Sequence, residues 1–137
     1  MLDAFAGTGA LGLEAMSRGA REVTFVESAK PALAVLRKNV DELGVTARIV
    51  AKRVEGIPME LAGERFDLVF CDPPWAEIER LMPVIGALAE LLADGGTLVL
   101  EHDKRTPVPT AVMVGVGGLH VADTRVYGDT ALSFFER

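Results

Sequence analysis

Apolar residues occur along this chain in short runs that alternate with longer segments of helical spacing, a pattern that predicts strands and helices in turn. The runs that predict the first five strands are residues 2–5, 23–26, 47–51, 66–71 and 97–102. Residues 30–43 and 77–92 have the spacing of amphipathic helices; Gly44 ends the first, and Pro83 is expected to kink the second. The apolar face of the first helix is predicted to consist of Leu33, Leu36, Val40 and Leu43. Regular alternation of this kind predicts a mostly parallel sheet covered on both faces, with ligands beyond the carboxyl ends of the strands.

The end of the chain departs from this alternation. Residues 119–126 and 130–136 have the character of two strands, and the three residues between them are short enough for a hairpin. Residues 106–118, with two prolines and three glycines, predict a loop or a short irregular strand, more readily a plain connector than a cover over a site. The overall prediction is an α/β fold: a doubly wound, mostly parallel, seven-stranded sheet with a C-terminal antiparallel hairpin.

The fourth predicted strand runs directly into Asp72, Pro73, Pro74 and Trp75. Two consecutive prolines fix φ and remove two backbone donors, so the loop is stiff and rich in acceptors. The Asp72 carboxylate and the carbonyl near Pro73 could hold an amino group by its hydrogens and turn its lone pair outward, while Trp75 offers a stacking face for a planar base. The loop is therefore suited to the alkylation of an amine, although in isolation it could equally be a turn.

A glycine-rich turn follows the first strand, where Gly7, Gly9 and Gly12 satisfy the pattern GxGxxG. Glu27 ends the second strand, a position from which a carboxylate could hold two ribose hydroxyls. Folds that bind dinucleotides and folds that bind S-adenosylmethionine share this arrangement. Asp3 favours the second class, because a carboxylate could pair with the amino group of a methionine-like tail but does not help to bind a pyrophosphate.

Four segments together resemble the bacterial methyltransferases that modify the exocyclic N2 of a guanine in small-subunit ribosomal RNA. They are DxFAGTGALGLEAxSRGA at 3–20, VTFVE at 23–27, FDLVFCDPPW at 66–75 and YGDTAL at 127–132. The similarity spans nearly the whole chain. It implies a Rossmann-like methyltransferase fold, S-adenosylmethionine as the methyl donor, and ribosomal RNA or the assembled small ribosomal subunit as the partner. The protein is expected to be a monomer.

The resemblance also implies roles for individual residues. Asp3, Gly7 and Gly9 would line the methionine end of the donor, Glu27 would hold its ribose, and residues 72–75 would hold the target base. The expected catalytic residues are Asp72, Pro73, Pro74 and Trp75. The expected donor-binding residues are Asp3, Phe5, Gly7, Gly9, Glu27, Ser28, Arg53, Val54 and Asp72.

The chain departs from the family pattern in two places. It begins almost inside the first strand, so residues 1–137 are expected to be one methyltransferase domain without the family's upstream segment, which carries a helix that closes over the donor and basic residues that touch RNA. Arg53 follows the third strand, where relatives often place an Asp that contacts the adenine amino group. A guanidinium cannot accept that hydrogen bond. Backbone groups, apolar side chains or Glu55 remain as alternative adenine contacts.

Composition limits the classes of function. A net charge of −6 and an isoelectric point near 4.9 do not favour a nucleic-acid partner, since affinity for a phosphate backbone rests heavily on Lys and Arg. The single cysteine, Cys71, excludes an internal disulfide and is predicted to pack in the core; together with the absence of a signal-like start it favours the cytoplasm. No His/Cys cluster has metal-ligand spacing, and no apolar run has membrane-spanning length.

Other functions remain open from the sequence alone. The same loop chemistry could methylate adenine N6 or the amide of a glutamine side chain. A truncated chain could also be a non-catalytic binding fragment, and a nicotinamide-dependent oxidoreductase is a more distant alternative.

Overall fold

The computed structural model describes residues 1–108, 111–112 and 118–137. The strands are β1 (Leu2–Asp3), β2 (Thr24–Val26), β3 (Arg48–Val50), β4 (Phe66–Cys71), β5 (Leu92–Asp103), β6 (Ala111–Val112), β7 (Leu119–Tyr127) and β8 (Thr130–Glu136). The helices are α1 (Ala10–Ser17), α2 (Lys30–Leu43), α3 (Ile57–Glu60) and α4 (Ile78–Leu88), with 3-10 turns at Val54–Gly56, Trp75–Glu77 and Ala89–Leu91. Most of the stretch 106–118, predicted as a connector or cover, lies outside the described residues.

All the described strands form one sheet, in the order β3-β2-β1-β4-β5-β8-β7-β6. The first five are parallel, and the direction of winding reverses between β1 and β4, where Leu2 pairs with Val69 and Asp3 with Phe70. The hairpin of β7 and β8 adds antiparallel to β5. The predicted fold is therefore confirmed. Strand β6, only two residues long, pairs with β7 at the sheet edge in addition to the seven expected strands.

Apolar side chains cover both faces of the sheet, as the helix pattern predicts. Phe25 and Val26, successive residues of β2, point to opposite faces and belong to two separate apolar clusters. The cluster around Phe25 includes three of the predicted α2 positions, Leu33, Leu36 and Val40. The prediction for Leu43 is wrong: this side chain is 62% exposed, because it is the last residue of α2 before Gly44 turns the chain at φ 63°.

Helix α4 tolerates Pro83 in its interior, as expected, and packs its apolar face into the larger cluster. The buried residues of this helix are Ile78, Leu81, Ile85, Gly86 and Leu88.

Because β1 to β5 are parallel, the loops that leave their carboxyl ends all meet at one edge of the sheet. The predicted glycine-rich turn, Glu27, Arg53 and the Asp72 loop are on this edge.

Candidate active site

A cavity of about 570 Å³ opens at the carboxyl edge of the sheet, where the order of winding reverses. Its lining residues are Ala4, Phe5, Gly7, Val26, Glu27, Ser28, Lys52, Arg53, Val54, Glu55, Asp72, Pro73, Pro74, Trp75, Glu77, Arg80 and Leu81. Most of the residues predicted for the donor and target sites therefore border a single space. Asp3 and Gly9 do not line it.

The glycines of the turn after β1 have two different roles, one at the cavity and one in the packing of α1. Gly7 lines the cavity with φ 57°, and a Cβ built there would meet nothing within 4 Å. A Cβ at Gly9 would overlap the Leu36 side chain, and one at Gly12 would overlap the Phe25 ring. Gly7 thus supplies the turn beside the ligand space, whereas Gly9 and Gly12 allow close packing of the helix.

Glu27 connects the glycine turn to the start of α2. Its Oε1 accepts a hydrogen bond from the Gly7 N–H at 3.0 Å, and its Oε2 accepts from the N–H groups of Ser28 and Ala29, both at 2.8 Å. A carboxylate can accept about four hydrogen bonds. Three backbone donors therefore hold Glu27 in place and leave it capacity to accept from a hydroxyl in the cavity.

Asp3 lies beneath the cavity rather than on its surface. The residue is 1% exposed, and its Oδ2 has no hydrogen-bond partner among the described residues. Burial raises the pKa of Asp3 to about 6; the N–H groups of Phe5 and Gly12 oppose this shift, and the charges of Asp72 and Glu27 add to it. A buried carboxyl with one unsatisfied oxygen indicates a site that would be stabilised by a nearby cation or hydrogen-bond donor.

The loop that follows β4 presents an acid and an aromatic ring to the cavity. Asp72 is exposed at the cavity wall, and partial desolvation there raises the pKa of its carboxyl. Pro73 is buried, while the Pro74 carbonyl accepts a hydrogen bond from the Glu77 N–H at 2.9 Å and starts the turn into α4. Trp75 remains 39% exposed, so one part of its ring is available for contact with a ligand.

Residues 1–136 match the family model described as Conserved hypothetical protein 95. The chain belongs to this family. It is 30% identical over 142 residues to the putative rRNA methyltransferase YlbH of Bacillus subtilis strain 168, an alignment that covers 99% of this chain and 74% of YlbH. It is 38% identical over 115 residues to ribosomal RNA small subunit methyltransferase D of Haemophilus influenzae, covering 80% of this chain and 59% of that protein.

A solved structure of a hypothetical protein from Thermus thermophilus has the same fold. It is 38% identical in sequence, with a TM-score of 0.82, and the match covers 99% of this chain and 74% of that one. The resemblance inferred from the sequence motifs is thereby confirmed at the level of family and fold. The roles assigned to single residues stay predictions.

This member of the Conserved hypothetical protein 95 family has an ion network around Arg53 and Glu55, the first a predicted donor-binding residue and the second one of the alternative adenine contacts. Glu55 Oε1 accepts from Arg53 Nη2 at 3.1 Å and from Arg80 Nη1 at 2.9 Å, and Arg80 Nη2 also donates to Glu77 Oε1 at 2.7 Å. Hydrogen bonds from the two arginines lower the pKa of Glu55 to about 2. Arg80 was not predicted from the sequence; its spacing of three residues from Glu77, which directly precedes α4, was the available signal.

Glu101 is a second residue near the site that sequence reasoning missed. Strands β4 and β5 are parallel neighbours that pair Cys71 with Leu100; Asp72 directly follows the end of β4, and Glu101 is the next residue of β5. Burial and then the charge of Asp72 raise the pKa of Glu101. An acid at the carboxyl end of a strand was the available signal, but only the register of β4 against β5 places it beside Asp72.

Three further features bear on the predicted chemistry. Cys71 is buried, and burial raises the pKa of its thiol well above its usual range, which agrees with core packing rather than nucleophilic chemistry. Among the described residues, no group of three or more His, Cys, Asp or Glu side chains is arranged to hold a metal ion. None of the helices in that part of the chain combines the length and apolar character needed to cross a membrane.

Proposed function

We propose that this chain transfers a methyl group from S-adenosylmethionine to the exocyclic N2 amine of a guanine in small-subunit ribosomal RNA. The observation that carries the proposal is the shared cavity, in which the residues 72–75 loop faces Gly7 and Glu27. The two relatives named as ribosomal RNA methyltransferases support the choice of substrate class. The cytoplasm, where ribosomes assemble, is the matching location.

The charges around the cavity suit this donor. S-adenosylmethionine has a sulfonium and an ammonium group, and when bound it supplies an already activated methyl group. Glu27 and Asp72 line the β1 end of the cavity, Asp3 lies beneath it, and the charges of Asp72 and Glu27 contribute to the raised pKa of Asp3. A dinucleotide would instead bring a pyrophosphate to the same acids, which would repel it.

The remaining walls fit the nucleoside half of the donor. A volume of about 570 Å³ is within the usual range for small-ligand sites. Glu27 accepts from a ribose hydroxyl, Phe5 and Ser28 border the donor, and Val54 offers an apolar surface to the adenine ring. Arg53 and Glu55 neutralise each other at the rim, so adenine recognition rests on backbone and apolar contacts in this region.

Catalysis by these residues consists mainly of alignment. Asp72 accepts a hydrogen bond from the amine, directs the nitrogen lone pair toward the methyl group and stabilises the positive charge that develops on nitrogen. Its raised pKa makes the carboxylate a better proton acceptor than a free Asp, so it can take the proton from the methylated nitrogen or pass it to water. Trp75 stacks on the base, and the two prolines keep Asp72 and Trp75 in a fixed relation.

RNA recognition does not depend on a strong electrostatic field in this proposal. The net charge is −6, and the basic groups after β5 have acidic partners: Lys104 with Asp129 at 3.4 Å and Arg105 with Asp103 at 2.7 Å. The substrate in this proposal is therefore an assembled small subunit rather than bare RNA, and the protein recognises the shape of the folded RNA around the target guanine.

The test is methyl transfer to small ribosomal subunits that have not been methylated at this site. The purified chain and isotope-labelled S-adenosylmethionine are incubated with the subunits, and the RNA is digested to nucleosides for mass spectrometry. Labelled N2-methylguanosine is the expected product. Labelled N6-methyladenosine, or methyl groups on a protein glutamine, would replace the proposed acceptor by one of the alternatives. Binding of S-adenosylhomocysteine without any transfer would identify a binding fragment.

A further inference from the structure

Two acidic residues are neighbours at the carboxyl edge of the sheet: Asp72, which lines the cavity, and Glu101, which is partly buried beside it and is not among the lining residues. The pairings Phe70 with Val99 and Cys71 with Leu100 keep β4 and β5 in register up to this edge. Asp72 directly follows β4, and Glu101 is the next residue of β5, so the strand spacing of about 4.8 Å places the two residues next to each other. The influence of the Asp72 charge on the pKa of Glu101 agrees with this closeness.

Asp72 and Glu101 differ in their partners from Glu27, Glu55 and Asp103, three other acids of this edge. Glu27 accepts three backbone N–H groups, Glu55 pairs with two arginines, and Asp103 pairs with Arg105. Within the described part of the chain, neither the Asp72 nor the Glu101 side chain accepts a hydrogen bond or forms an ion pair. Two adjacent unpaired carboxylates repel each other, and a ligand with two neighbouring hydrogen-bond donors would relieve that repulsion.

Guanine has such a pair of donors on one edge. Its N1–H and its N2 amino group are adjacent, and both point toward the same side of the ring. We propose that Glu101 is a specificity-determining residue, which accepts the N1–H of the target guanine while Asp72 accepts a hydrogen of the N2 amine. This assignment rests on the function proposed above and defines how its substrate is selected.

The same arrangement rejects other amines. In adenine and cytosine, the ring nitrogen beside the amino group is a lone-pair acceptor, and in a glutamine amide the neighbouring group is a carbonyl oxygen. Glu101 would face a lone pair in each case and would remain without a donor. A binding site discriminates strongly against a ligand that leaves one of its buried or charged groups without a hydrogen-bond partner, because that group has lost its contact with water as well.

The test compares guanosine with 2-aminopurine riboside, which keeps the N2 amine but has a lone pair in place of the N1–H. The methylated guanosine is first located in the wild-type reaction by mass spectrometry, and the RNA is then made with either base at that position and assembled into subunits. Wild-type protein is expected to methylate guanosine at least about tenfold more efficiently than 2-aminopurine. Glu101→Gln should reduce this ratio to within about threefold, since its amide can donate to the N1 lone pair.

Glu90→Gln is the matched control, because Glu90 is exposed and precedes the amino end of β5, at the other edge of the sheet. It should leave the ratio at the wild-type value. Both variants should keep the wild-type affinity for S-adenosylhomocysteine, which shows that the fold and donor site are intact. Intrinsic reactivity differences between the two amines cancel when the ratio is compared between proteins.

An unchanged ratio in Glu101→Gln, with transfer still measurable, would overturn the role of Glu101 and leave the methyltransferase proposal standing. Failure of the wild-type protein to methylate any guanosine would instead contradict the proposed function itself, and this inference with it. The two failures are thus separate experimental outcomes.

Discussion

Asp3 and Asp72 are both carboxyls whose pKa is raised by desolvation, yet they take different parts in the site. Asp72 is exposed at the cavity wall, where a raised pKa improves it as a proton acceptor. Asp3 is buried with an unsatisfied Oδ2, so its charge is unfavourable until a cation approaches. Single substitutions can separate the catalytic contribution of the first from the binding contribution of the second.

Asp72→Asn should lower methyl transfer by about two to four orders of magnitude, because the amide cannot take the proton and stabilises positive charge poorly. Its affinity for S-adenosylhomocysteine should stay within about threefold of wild type if Asp72 acts mainly on the target amine. Single-turnover transfer and calorimetric titration measure the two quantities. Asp67→Asn, at the amino end of the same strand, is the control; equal rates for wild type and Asp72→Asn would refute the assigned role.

Asp3→Asn should stabilise the free protein and weaken donor binding. The folded-state pKa of Asp3 is raised to about 6. Between roughly pH 4 and 6 the unfolded chain has therefore released a proton that the folded chain keeps, and stability falls as pH rises through this window. The loss is on the order of 3 kcal/mol and is almost fully present at pH 7.

Urea unfolding at pH 4.5 and pH 7 measures this effect. Asn keeps an oxygen for the N–H groups of Phe5 and Gly12, so the variant should lose most of the pH dependence and gain stability at pH 7. Its affinity for S-adenosylhomocysteine should fall about tenfold, because the ammonium group loses a nearby negative charge. A variant with an unchanged pH profile would show that Asp3 is not the group that titrates in this window.

Helix α1 and strand β2 approach closely because Gly12 has no side chain. A Cβ at this position would overlap the Phe25 ring and come within 2.9 Å of Val23 Cγ1, and Phe25 is fully buried, so its ring has little room to move. Gly12→Ala should therefore lower the free energy of unfolding by about 1 to 3 kcal/mol. Gly56→Ala is the control, since a Cβ there meets nothing within 4 Å and its backbone φ is −89°. Similar stabilities for the two variants would contradict the close packing.

The bounds of individual helices and strands are predicted well where they depend on a local pattern of residues. Helix α2 begins and ends where its apolar spacing, Pro31 and Gly44 indicate, and β4 coincides with the apolar run that precedes Asp72. The motifs also predict a shared site, since loops after parallel strands must meet at one edge. The position of Glu101 beside Asp72 could not be predicted from the sequence, because it depends on the register of β4 against β5. The same holds for Arg80, because its ion pair with Glu55 joins residues 25 positions apart.

For the whole molecule, the main tension is between an acidic chain and an RNA substrate. The matches show family membership while covering 74% and 59% of the two curated relatives, so the activity of those longer proteins reaches this chain only as a proposal. Most of the Lys and Arg side chains already form an ion pair with an acid, which weakens their attraction for phosphate. Arg53, Arg80, Lys104, Arg105 and Arg125 all have an acidic partner.

This balance of charges predicts a shallow salt dependence of RNA binding. A protein that neutralises six to ten phosphates loses about 10³ to 10⁵ in affinity between 50 and 200 mM salt, because it releases the same number of counterions. Here most Lys and Arg side chains are already ion-paired, and a phosphate contact through any of these would first have to displace a carboxylate. The affinity for a bare ribosomal RNA fragment should therefore change by less than about tenfold over that range. Fluorescence anisotropy at several salt concentrations measures the slope. A steep slope would mean that the paired arginines open to phosphate, and Arg105→Gln, which removes one such pair, would then reduce the slope by about one.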